Sequence, residues 1–454
     1  MHRRLFIGAA LLLSGCSTIG ITDLFQDYAT QLRPVRQAVS QNNIASAQQL
    51  LPSNSRGHSN YLLNQLETAR LEFLAKQNSQ ANETFEAVYQ NMEKKRQAAK
   101  VQLSAGLEQT NSLLTNDSVI GYEPAAYEMT MLHSYKALSY VFDKQLESAL
   151  VEVRRANKVQ EDALKDNQAA LDEQAEKAAE GYPDMAELIG NVKNGFQNAF
   201  TFYLSGLLYE ADKQFDDAYI DYKKALEINS ENSYLQQTVL RLAKKQGFDQ
   251  DFEEFSKRFG KLKQTQANTG QVIVIAEQGL IPARQEFHLR LPIYTSRGDA
   301  RFYSIAMPVY RDAPYAGSDK TVSLGGENVP LTPIVRLEAL AAKTLKDQSA
   351  GRITRQVMRL VAKEKMRAEL ARSGGDVGNI LANIYNIASE QADTRSWSTL
   401  PSQLSIAQHA MPAGQHALTV PGHGEIDFTV SKQGLTLIFL TSINNYYDTH
   451  VVQL

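Results

Sequence analysis

Tyr203-Leu-Ser-Gly-Leu-Leu-Tyr-Glu-Ala-Asp-Lys-Gln-Phe-Asp-Asp-Ala-Tyr-Ile-Asp-Tyr-Lys-Lys-Ala-Leu-Glu-Ile-Asn229 is the stretch from which the fold is read. Gly206, Tyr209, Phe215, Ala218, Tyr222 and Ala225 recur in it at spacings that fit two antiparallel helices. Gly206 and Ala218 let the two backbones approach closely, and Tyr209 and Tyr222 fill the space beside them. One such pair cannot bury its own apolar face, so further pairs must stack on it.

Those further pairs can be found. Ala137, Tyr140, Ala149 and Ala156 lie 69 residues upstream of Gly206, Tyr209, Ala218 and Ala225. A weaker copy is centred on Ala69, Phe73, Ala81 and Phe85, and the shortest surrounds Ala38, Ala45 and Leu50. A final pair is expected over Tyr234–Gln246 and Asp249–Phe259. This pattern resembles the tetratricopeptide repeat (TPR), although Asn229-Ser230 stands where that repeat often ends in Pro. The resemblance implies a mostly α fold, with a TPR-like α-solenoid over residues 16–262 followed by a smaller α+β domain over 271–454, joined by a linker at 263–270. An offset of 69 exceeds the usual repeat of about 34, so extra helical length must lie between copies. Residues 157–180 read as one long exposed helix, ended by Pro183 and the Gly190–Gly195 region.

Working outward, the chain opens Met-His-Arg-Arg-Leu-Phe-Ile-Gly-Ala-Ala-Leu-Leu-Leu-Ser-Gly-Cys16. Arg3 and Arg4 precede a short apolar run, Leu5 to Leu13, which is far below the roughly 20 residues of a membrane-spanning helix. A charged start and a short apolar run are the marks of a signal peptide, here residues 1–15. Leu13-Ser14-Gly15-Cys16 resembles a bacterial lipobox, which implies diacylglyceryl transfer to the Cys16 thiol and acyl anchoring of the mature chain. Each buried methylene contributes roughly 0.8 kcal/mol, so two or three chains hold durably where one does not. Ser17, rather than Asp, implies the outer membrane of a Gram-negative cell, with the body facing the periplasm.

Of the 454 residues, Cys16 is the one cysteine, which excludes an intrachain disulfide framework and any multi-cysteine metal site. The net charge of −3 gives no basic excess for a nucleic-acid binder. That total hides an acidic helical half, −7 over residues 17–265, and a slightly basic remainder, +2 over 266–454. Prolines divide four to nine between the same two stretches.

In the C-terminal half, strands are expected at Val272–Ala276, Arg301–Met307, Thr321–Leu324, Gln403–Ala407, Gly414–Val420, Ile426–Val430 and Leu435–Thr441, with helices at Ile334–Leu345, Arg352–Arg372 and Val377–Ala392. The phrase Pro412–Val420 resembles small β-sandwich modules. Arg352, Arg355, Arg359, Lys363 and Arg367 recur every three or four residues, so they share one helix face. Such a stripe is read either as the solvated side of a packed helix or as a basic surface for lipid head groups, cell-wall carboxylates or an acidic partner. His409, His416 and His423 recur every seven residues but are interrupted by turn residues, and they read as turn or surface histidines. There is no HExxH, no GxSxG and no phosphate-binding loop. Gly374-Gly375-Asp376-Val377-Gly378 lacks a preceding strand and a Lys and reads as a turn between helices.

These readings give no catalytic residues, cofactor or metal. They point to a non-enzymatic, lipid-anchored scaffold that holds an envelope protein or peptide partner on its TPR-like surface. Some activators of peptidoglycan synthases are lipoproteins with TPR-like N-terminal domains, so regulation of peptidoglycan synthesis is the alternative. A cell-wall or lipid-acting enzyme in the C-terminal half is the further one.

Overall fold

The computed structural model describes residues 27–104, 120–167, 182–264, 268–294, 300–317, 320–360, 391–420 and 422–454. Among them the helical half forms five helix hairpins: α1 (Tyr28–Ser40) with α2 (Ile44–Leu50), α3 (Tyr61–Leu74) with α4 (Asn78–Ser104), and α5 (Ala126–Phe142) with α6 (Leu146–Asn167). After a one-turn helix α7 (Ala186–Ile189) come α8 (Ala199–Ala211) with α9 (Phe215–Ile228) and α10 (Ser233–Gln246) with α11 (Asp249–Phe259).

Every hairpin turns by the same device. Asn42, Lys76, Lys144, Lys213 and Gly247 take the left-handed conformation, with φ between 59° and 71°. The following amide closes back on the carbonyl five residues earlier, as in Gln77 N to Glu72 O at 2.9 Å and Gln145 N to Tyr140 O at 2.8 Å. This is the double-bonded helix ending that satisfies the last carbonyls of the first helix. The turns fall 34, 68, 69 and 34 residues apart, so the offset of 69 seen in the sequence is close to two repeat lengths.

The first helix of each hairpin is the buried one. In α5, 14 of 17 residues are buried, from Tyr127 to Val141, whereas α11 buries none. Burial on so many sides means that the first helices face something besides their neighbours. That something is the C-terminal half. Its main sheet contains β1 (Thr269–Gln278), β6 (Thr332–Arg336), β7 (Gln403–Pro412), β10 (Leu435–Ile443) and β11 (Tyr446–Gln453), in the order β11-β10-β1-β7-β6. The β1–β10 pair is parallel and the rest antiparallel.

Alternation along β1 divides the molecule into layers. Ile273 and Ile275 join Phe439 and Leu437 of β10 in a core continuous with Leu32, Phe73, Tyr135 and Tyr203 of the helices. Val272, Val274 and Ala276 point the other way, into a second core with Val322, Leu418, Phe428 and Val430. Those residues belong to an outer sheet of β4 (Thr321–Leu324), β5 (Glu327–Pro330), β8 (Gly414–Val420) and β9 (Gly424–Val430), ordered β5-β4-β8-β9. The chain passes from the main sheet to the outer one between Pro412 and Gly414, where Gly414 has φ 145°. A separate hairpin, β2 (Gln285–Tyr294) with β3 (Ala300–Val309), packs Leu289, Ile305 and Met307 on Ile353 and Leu360 of a helix α12 over 337–360.

Some expected elements differ. Ile334 lies in strand β6 and not in a helix, and α12 joins what read as two helices into one through residue 360. Residues 157–160 are not wholly exposed: Asn157 Nδ2 donates to Asp221 at 2.9 Å, and buried Gln160 accepts from Asn198 N at 2.7 Å. Residues 361–390, with the glycine-rich turn and most of the helix expected over Val377–Ala392, lie outside the described residues, as do residues 168–180 and the signal segment with Cys16, while Gln391 and Ala392 at the end of that expectation are not helical.

Candidate interaction surface

The repeat residues sit where close helix packing requires. Ala137, Ala149, Ala156, Ala218 and Ala225 are buried, as are Tyr209 and Tyr222, while Tyr140 is half-buried. A Cβ on Gly206 would come within 2.9 Å of the Tyr222 ring, so only glycine fits between α8 and α9 there. Tyr209 Oη accepts from Arg154 Nε at 3.2 Å, tying this hairpin to α6.

The inner face of the solenoid carries a set of buried polar side chains that periodicity alone did not mark. Arg70 of α3 pairs with Glu277 of β1 at 2.6 Å, both fully buried. Tyr135 of α5 and Thr441 of β10 each donate to the same carboxylate at 2.9 Å. Burial works against the Arg70 charge, but Glu277 overrides it and raises the guanidinium above its ordinary range. The group therefore stays ionised inside the core, where breaking the pair would strand a charge.

Between solenoid and sheet runs residues 392–402, a segment with no helix or strand of its own that turns at Ser398–Thr399 and is almost entirely buried. Its Trp397 amide donates to Glu128 Oε1 at 2.9 Å. The Ser398 amide and hydroxyl donate to Glu67 Oε1 at 2.7 and 2.8 Å. The Thr399 amide donates to Glu67 Oε2 at 3.2 Å, and its hydroxyl donates to the same atom. In return, Arg36 donates to the Ser398 carbonyl and Arg70 Nε to the Thr399 carbonyl at 3.3 Å. Burial pushes the Glu67 carboxyl up, and these donors, with Arg36 nearby, only partly offset that. Glu128 also accepts from Tyr122 Oη at 2.6 Å, Tyr127 Oη at 3.2 Å and Ala125 N at 2.8 Å. Upstream, Arg395 reaches the Ile120 carbonyl at 2.8 Å.

Trp397 is fully buried, with its ring 5.8 Å from Phe85 and 6.0 Å from Tyr135. Its indole N–H finds no acceptor among the described residues, so packing alone holds the ring. The one tryptophan of the chain, set in Arg395-Ser-Trp-Ser-Thr399 without periodicity, was the signal available in the sequence.

A second polar cluster joins α4, α5 and α6. Glu152 meets His133 Nδ1 at 2.7 Å, Lys136 at 3.0 Å and Arg155 at 2.9 Å. Glu86 pairs with Lys136 and, at 3.1 Å, with Arg155. Burial disfavours charge on Glu86, but hydrogen bonds from Gln90 and Lys136 and the charges of Lys136 and Arg155 win, holding it at about 2. Burial also pushes the His133 imidazole down against the pull of Glu152.

The basic stripe is not one exposed face. Arg355 is exposed, Arg352 lies 3.9 Å from Asp393, and Arg359 is 3% exposed beside the packed Leu360. Lys363 and Arg367 lie outside the described residues. The three histidines do not converge: His409 meets Glu327 at 3.2 Å, His416 Nε2 meets the Pro412 carbonyl at 2.8 Å, and His423 stacks on Tyr447 at 4.1 Å. Among the described residues no three His, Cys, Asp or Glu side chains form a metal-binding group, and no helix is long and apolar enough to cross a membrane.

No family model matches the chain, and no curated protein matches it. Among solved structures it is similar to MamA, residues 41 to the end, from Desulfovibrio magneticus RS-1, with 15% identity, a TM-score of 0.28, and coverage of 52% of this chain and 94% of that one. It is also similar to a Podosopora anserina kinesin light chain protein with TPR-like repeats, with 14% identity, a TM-score of 0.28, and coverage of 51% and 92%. The third is the TPR2AB domain of yeast Sti1 in its complex with an HSP90 peptide, with 13% identity, a TM-score of 0.19, and coverage of 50% and 87%. Likenesses this loose carry no argument about partner or activity.

Proposed function

We propose that this chain is a non-enzymatic scaffold of the cell envelope, anchored by acyl chains on Cys16 to the outer membrane and facing the periplasm, where it holds a partner protein. The observation that carries the reading is the division of the solenoid into a sealed and an open side. Its inner face is filled by the chain's own sheet, whereas the second helices leave residues such as Val151, Leu164 and Ile220 exposed. Stacked hairpins offer an extended surface for protein contacts, and this solenoid offers its outer helices. Anchoring concentrates that surface at the membrane. A partner in peptidoglycan synthesis would fit the same arrangement.

Two experiments test it. Cys16→Ala should move the protein from the outer-membrane fraction to the soluble periplasm, and retention in the membrane contradicts the anchor. Photo-crosslinking from positions 151, 164 and 220 in cells should trap one dominant envelope protein. Trapping from the solenoid surface of no protein above background contradicts the scaffold.

A further inference from the structure

We propose that the inner face of the solenoid is a peptide-recognition channel dedicated to the chain's own residues 393–399, and that it reads a Trp-Ser-Thr sequence where the segment turns at 398–399. This does not depend on the anchor or on any outside partner. The grounds are the destinations of the backbone groups. A buried loop ordinarily satisfies its amides and carbonyls by turns, by strand pairing or by water. Here the amides of Trp397, Ser398 and Thr399 all go to carboxylates on solenoid helices. The carbonyls of Ser398 and Thr399 go to arginines on solenoid helices. Main-chain bonds for affinity and a side-chain pocket for selectivity are how proteins capture peptides.

The channel also carries selectivity. Glu67 receives two successive amides and both adjoining hydroxyls, so it asks for hydroxyl residues at positions 398 and 399. Phe85 and Tyr135 form an aromatic slot for the preceding ring. Holding Glu67 and Glu128 inside a core is costly unless their acceptors are filled, and it is this segment that fills all of Glu67's and part of Glu128's. The occupant is continuous with central strand β7, and Ser402 N donates to Gln278 O at 3.0 Å, so it stays in place and closes the channel to peptides from outside.

The test uses the full chain and a labelled synthetic peptide spanning residues 391–402. Fluorescence anisotropy should show no saturable binding to the unaltered protein. A full-length variant with residues 395–399 replaced by five Gly and Ser residues should bind the peptide. Peptides carrying Trp397→Ala or Thr399→Val should bind it about tenfold or more weakly, the loss expected for one buried contact or a hydrogen bond to a charged group. Equal binding by the unaltered chain, or no binding by a replaced chain that keeps its helical circular dichroism, overturns the proposal. If the replaced chain does not fold, Glu67→Gln decides by hydrogen exchange. The Ser398 and Thr399 amides should then exchange about tenfold or more faster, with Ile273 and Phe439 of the sheet unchanged. Unaltered rates at 398 and 399 would refute the channel.

Discussion

The helical half and the sheet half meet in one core but are specified by different kinds of information. Among the described residues five hairpins repeat one local device, a left-handed residue closed by a bond to the carbonyl five residues back, and each is specified within one contiguous stretch of chain. The main sheet has no such unit. Strand β1 pairs with β7 and β10, more than 120 residues further along, and its register rests on which face of each strand meets the helices. The comparison teaches that the solenoid supplies shape while the sheet supplies closure. The apolar faces that a free-standing solenoid would present to a partner are already satisfied in the same chain.

The largest expected effect comes from breaking the join between the halves. Arg70→Ala strands Glu277 in the core and should cost about 3–5 kcal/mol, measured by urea unfolding. If the halves were independent, that loss would leave the helical signal unchanged. A break confined to the repeat should be smaller. Gly206→Ala drives a Cβ into the Tyr222 ring and should cost about 1–3 kcal/mol.

Acid sharpens the comparison because its targets lie in different places. His133, held neutral by burial, has a folded pKa below its unfolded value. Its contribution is therefore complete above about 6.5 and is lost as pH falls, because the unfolded imidazole takes a proton that the folded one refuses. Glu86 and Glu152 are likewise lowered, so their contribution is present above about 4.5 and is lost as pH falls toward the folded values. Glu67, at the join, is raised and runs the other way: its contribution is complete below about 4.5 and fades as pH rises through its folded value. The urea midpoint should fall from neutral pH to about pH 4, and His133→Gln should flatten the first part of that fall. A midpoint unchanged over that range would refute this assignment. The smallest effect should be a gain: Lys213→Gly relieves a left-handed lysine with φ 62° and should add about 0.5–1 kcal/mol.

The same contrast explains what could be read in advance. Gly206, the alanines and Tyr222 announce the hairpins because helix packing acts over three and four residues. The buried strands β1 and β10 also show, as unbroken apolar runs. Edge strand β11, Tyr-Tyr-Asp-Thr-His-Val-Val-Gln, has no such run, and β6 reads in sequence as the start of the helix that follows it. The inner channel was hidden for a deeper reason. Glu67 and Arg70 look like ordinary polar positions of a helix, and the groups that satisfy them lie 331 and 207 residues away. Nothing local records that pairing. Arg359 was misplaced on an exposed stripe because its spacing places it on a helix face but does not say what covers that face.

The measurement that bears most directly on a solenoid closed by its own sheet is equilibrium urea unfolding followed by two probes at once. Far-UV circular dichroism reports the helices, and the fluorescence of Trp397, the single tryptophan, reports the channel between the halves. Coincident transitions with one midpoint are expected, because the helices and the sheet share one core. Fluorescence that is lost first, with the helical signal intact at higher urea, would show that the helices and the sheet unfold as separate units and would contradict the account.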